Sequence, residues 1–126
     1  MDEIREVYAA AGSDHEGVLA RYGGNEELLW HLLCLFGQDP SIEELRTAIA
    51  EGKRKEAFLA AHTMKGICAN LGFTGLYERA SALTELLRRS GTDEAGPLFS
   101  ALEEEYLRIA EALRRSRAVR SSENRG

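Results

Sequence analysis

Apolar residues recur at three- and four-residue intervals along almost the whole chain, and no stretch alternates in the manner of a strand. That pattern restricts the fold to the all-α class. Two prolines in 126 residues leave room for long helices. The length suits one domain with one modest core, and 44% hydrophobic with 29% charged residues is ordinary for a soluble protein. A formal net charge of −5 argues against a nucleic-acid or anionic-membrane surface, since both need clustered positive charge. No apolar run approaches bilayer length, and the acidic N-terminus does not read as a signal peptide. Cys34 and Cys68 sit in helical apolar patterns and read as reduced core residues, so the expected location is the cytoplasm.

The spacing predicts a first helix over 2–11, with Ile4, Val7 and Tyr8 on one side, and a connector or short helix over 15–25. Asn25 is positioned to cap a helix over 26–37, with Leu28, Leu29, Leu32, Leu33 and Phe36 as its stripe and Gly37 as its stop. Ser41 and Glu44 are spaced as a capping box for a helix ending near Glu51-Gly52, with Ile42, Leu45 and Ile49 facing inward. A helix over 54–71 follows, with Met64, Ile67, Cys68 and Leu71 on its apolar side and Gly72 as its stop. Leu76, Ala80, Leu83 and Leu87 mark a helix over 75–89, stopped by Gly91. The final helix starts between Thr92 and Pro97, runs to about Arg117 and carries Leu98, Leu102, Ile109 and Leu113, with Tyr106 beside them. Helices of this length joined by short loops favour an antiparallel four-helix bundle, here with short additional N-terminal helical segments. The expected domain is 1–117, with 118–126 as a disordered polar tail.

Within the 54–71 helix, His62, Lys65 and Gly66 stand at i, i+3 and i+4, which share one face. Helical side chains lean over the preceding turn, so a side chain at position 66 would cover His62. Glycine removes it, at about 0.5–1 kcal/mol relative to alanine. Lys65 brings positive charge to the same space, where it would steady a doubly charged phosphoryl group. A lone helical histidine is usually just solvated, and a lone glycine is often a packing contact. The three together fit a histidine that carries phosphate. Ala69 at i+7 offers a small, flat contact, and Phe58 at i−4 is either an apolar anchor for a partner or a core residue.

Other groups carry less. Glu27 and His31 are spaced to share a metal, but further ligands are lacking. His15 has no partner pattern. Arg114-Arg115-Ser116-Arg117 reads as a basic helix end, and Glu103-Glu104-Glu105 as a solvated helix face. No glycine-rich phosphate loop follows a strand, so ATP binding is not expected. A metal enzyme in the bundle core would need paired Glu-x-x-His ligands, which the chain lacks.

The run Ala61-His62-Thr63-Met64-Lys65-Gly66, followed by Ala69-Asn70-Leu71-Gly72, resembles histidine-containing phosphotransfer (HPt) domains. So do Gly17–Asn25 upstream, with Phe36 and Asp39 after it, and Arg88-Arg89-Ser90-Gly91 before the last helix. The resemblance spans about 14–116. It implies a phosphorelay carrier and not an enzyme: His62 takes a phosphoryl group from a receiver-domain aspartyl phosphate and passes it to another receiver aspartate. It also implies Lys65 as charge partner and Gly66 as the access residue. No intrinsic cofactor is implied, because Mg2+ belongs to the receiver. The implied partners are response-regulator receiver domains and a sensor or hybrid histidine kinase, and the expected state is a monomer. The rival reading is a non-phosphorylated helical docking module that binds receivers or other proteins.

Overall fold

The computed structural model describes residues 2–125 and contains, among them, seven α-helices and no strand. These are α1 (Asp2–Ala11), α2 (His15–Arg21), α3 (Glu26–Gln38), α4 (Ser41–Ala50), α5 (Arg54–Leu71), α6 (Thr74–Arg89) and α7 (Gly96–Arg125), with a 3-10 turn at Thr92–Glu94 before α7. Helices α4 to α7 form the all-α bundle. α5 packs between α4 and α6, and α7 closes the group against both of those. α1 packs on α7, where Ser116 meets the Glu3 carbonyl, and α3 touches α5 and α7.

The core is built from the apolar stripes. Leu45 of α4, Ala57, Ala61 and Cys68 of α5, Leu76, Ala80, Leu83 and Leu87 of α6, and Leu102 and Ile109 of α7 are all fully buried. Burial pushes the Cys68 thiol up to about 12, so it stays protonated and inert at neutral pH. Cys34 is half-buried, and both thiols are free.

α5 ends as its sequence dictates. Gly72 takes φ +70°, and the Gly72 and Phe73 amides return to the carbonyls of Ala69 and Cys68 at 3.2 and 3.0 Å. A β-carbon at Gly72 would also run into Val18, so both backbone and space require glycine there. The remaining orphan carbonyls at this end are met from the N-terminal segments. The Tyr8 and Tyr22 hydroxyls donate to the carbonyls of Leu71 and Asn70, both at 2.6 Å, and Arg21 donates to that of Ala69 at 3.3 Å. α1 and α2 therefore do more than cover one end of the bundle: they hold the last turn of α5.

Several local expectations change. α3 runs through Gly37, which is helical; a β-carbon there would come within 2.9 Å of Leu113, so Gly37 allows close approach to α7 and does not stop the helix. Ser41 makes no capping box, because the Asp39 carboxylate already accepts the Ser41 amide at 2.8 Å. The acidic run on α7 is not one solvated face. Glu103 accepts from Arg46 of α4 at 2.8 Å, and the largely buried Glu105 accepts from Arg79 of α6 at 2.6 Å. α7 is wedged between two helices, so its flanking carboxylates form inter-helix ion pairs.

The expected tail over 118–126 differs too. α7 continues to Arg125, so Arg114–Arg117 is not a helix end. Arg120 explains part of this continuation: its guanidinium lies 4.5 Å from the centre of the Trp30 ring and pairs with Glu27 at 3.5 Å, tying α7 to α3. Ser116 is buried and donates to the Glu3 carbonyl at 3.1 Å. Gly126 lies outside the described residues.

Candidate functional site

One face of α5 is exposed along its length. Leu59, His62, Gly66 and Ala69, spaced three, four and three residues apart, are all exposed along it. The ring of His62 stands in solvent at the middle of this stripe. An added β-carbon at Gly66 would meet no atom within 4 Å, so no packing contact requires the glycine. Packing among the described residues therefore gives no account of Gly66.

The flank toward α6 carries the charge and the aromatic groups. Lys65 is half-buried, with its ammonium 6.0 Å from the centre of the Tyr77 ring. One turn on the other side of His62, the half-buried Phe58 ring stacks on the imidazole, 6.0 Å between centres and 9° between planes. The Arg88 guanidinium lies 5.3 Å from the centre of the same Phe58 ring. The two contacts across the seam, Lys65 with Tyr77 and Phe58 with Arg88, show that α5 and α6 run antiparallel here. Phe58 packs against the core edge, as the core reading expects, and its ring also lies beside His62.

Local pattern does not reveal Tyr77 or Arg88 as neighbours of the site, because both come from the next helix. Leu59 was within reach: it is 61% exposed and one turn before His62, and its spacing to Gly66 and Ala69 marks it as part of the open face.

The other histidines stand apart. His31 is exposed on α3, and its neighbour in sequence spacing, Glu27, pairs with Arg120. His15 is half-buried beside Tyr8, ring centres 5.6 Å apart, and its buried Nε2 has no hydrogen-bond partner among the described residues. Among those residues no group of three or more His, Cys, Asp or Glu is placed to hold a metal, and no helix is long and apolar enough to cross a membrane.

The site is thus an exposed histidine on α5, the second helix of the α4–α7 bundle. The family model of the Hpt domain matches residues 37–113, more than half of the chain and all of α4, α5 and α6, and the chain belongs to that family. Searches of curated proteins and of solved structures return no match. Hpt domains take part in histidine phosphotransfer within phosphorelays, as carriers and not kinases, and they interact with receiver and kinase domains.

Gly66→Leu is expected to leave the bundle as stable as before or slightly more so, since its β-carbon meets nothing and glycine is the poorer helix former. The same leucine would lean over His62 and block it. Thermal melting alongside transfer assays checks this; normal transfer by the variant would defeat the access role.

Proposed function

We propose that this protein relays phosphoryl groups between receiver domains through His62. The observation that carries the reading is the open imidazole on α5, with Lys65 one turn away and nothing over it at Gly66. Nε2 of His62, the ring nitrogen farther from the backbone, attacks the phosphorus of a receiver's aspartyl phosphate. The N–P bond forms, the acyl phosphate P–O bond breaks, and the aspartate carboxylate leaves. The reverse step on a second receiver returns the imidazole. Imidazole suits the task because one ring nitrogen can offer a lone pair while the other carries the proton. Positioning and charge stabilisation carry such a transfer, and the receiver supplies much of both with its Mg2+. On this side Lys65 supports the phosphoryl oxygens, Phe58 holds the ring from the α6 side, and Ala69 leaves a flat surface for the partner. No intrinsic cofactor is needed, and the carrier works as a monomer in the cytoplasm, charged by a sensor or hybrid kinase through its receiver.

Single-turnover transfer from a phosphorylated receiver tests this reading. Lys65→Ala should slow transfer about 10–100-fold, the worth of one charge-assisted contact, without unfolding the bundle. An unchanged rate would remove Lys65 from the mechanism.

A further inference from the structure

A cleft of about 290 Å³ opens between α5 and α6 immediately beside His62, lined by Arg54, Lys55, Phe58, Leu59, Leu87 and Arg88. Its floor is apolar and its rim is cationic. Arg54 is committed within the chain: its guanidinium donates to the carbonyls of Leu87, Arg88 and Ser90, closing the C-terminal end of α6. Arg88 lies over Phe58 and, among the described residues, its one ion pair is with the exposed Glu85, at 3.3 Å. Lys55 has no ion pair or hydrogen bond among the described residues. Leu59, beside it, is 61% exposed, the most exposed large apolar side chain of the described core helices. The cleft is continuous with the phosphoryl site, because its floor residue Phe58 stacks on His62.

We infer that this cleft is the part of the docking surface that selects among receivers, and that it takes an apolar side chain lying next to the receiver's acidic phosphorylation site. This rests on the receiver-transfer reading above. A site that holds Mg2+ beside a phosphorylatable aspartate is a cluster of carboxylates. For that cluster to reach His62, its margin must come to rest against one flank of α5. The flank with Lys55 and Arg88 presents opposite charge, on a protein whose formal net charge is −5. Leu59 and Phe58 offer the apolar contact that a central docking residue needs, and the cations around them supply orientation and encounter rate.

The test measures kcat/KM for transfer from each purified, phosphorylated receiver domain of the same organism to wild type, Lys55→Glu and Leu59→Ala. Labelling by phosphoramidate, a small donor that needs no docking surface, normalises for the competence of His62 in each protein. Circular dichroism checks that each variant is folded, and neither substitution touches a buried residue. The expected result is a loss of at least tenfold with the best receiver for each variant, a smaller loss with poor receivers, and a salt dependence that weakens in Lys55→Glu. Variants within twofold of wild type for every receiver would overturn the inference, and so would equal losses for all receivers. Impaired labelling by a histidine kinase with receivers unaffected would assign the cleft to the kinase instead, and also overturn it. If wild type is labelled by phosphoramidate but by no receiver, the receiver-transfer reading itself fails.

Discussion

His62→Gln is expected to accept no phosphoryl group from any donor while remaining folded. Glutamine approximates the reach and polarity of the ring but has no nucleophilic nitrogen. The imidazole is exposed and makes one ring contact, with Phe58, so the loss of stability should be less than about 1 kcal/mol. Labelling followed by gel or mass analysis reads the first effect, and thermal melting reads the second. Residual labelling at the wild-type level would move the acceptor to another residue. Unfolding of the variant would mean that the ring is structural and not an open site.

Phe73→Ala should produce the largest loss of stability, about 3–5 kcal/mol. The ring is fully buried and sits between Tyr8 and Phe36, with centre distances of 5.2 and 5.3 Å. It joins the N-terminal segments to the bundle at the C-terminal end of α5. A domain of this size has about 5–15 kcal/mol in total, so the variant would melt well below wild type, by roughly 10 °C or more. Calorimetry checks it. The loss should also spread to the site. With the pocket emptied, Tyr8 has less reason to stay beside Leu71, and the last turn of α5 loses one of its carbonyl partners. Hydrogen exchange of the amides near Ala69 should therefore rise. A drop of less than about 1 kcal/mol would show that the aromatic cluster is not what holds α1 and α3 to the bundle.

Much of this architecture is legible in the residues, and the parts that are not share a cause. α5 can be bounded by reading alone, because Gly72 is a positive-φ cap and Met64, Cys68 and Leu71 repeat at helical spacing. His62, Lys65 and Gly66 lie within five residues of one another, so helical geometry relates them without knowledge of the rest. Tyr77 and Arg88 come from α6, and no local rule places either beside Lys65 or Phe58. The same holds for Tyr8 and Tyr22, which look like ordinary amphipathic residues until their hydroxyls are found on the last carbonyls of α5. Gly37 reads locally as a stop, yet it lies inside α3, and its close approach to Leu113 depends on a residue far along the chain. The polar composition after Arg117 suggested a loose tail because the Trp30–Arg120 contact joins residues far apart in the chain.

The most direct measurement follows a phosphoryl group from a charged receiver onto this protein and locates it. Each phosphorylated receiver domain of the same organism is mixed with wild type, and the product is mapped by mass spectrometry under alkaline conditions. The account predicts that at least one receiver loses its label while this chain gains an acid-labile, base-stable group on His62. A folded wild-type protein that takes no phosphoryl group from any charged receiver, or takes it on another residue, would contradict it.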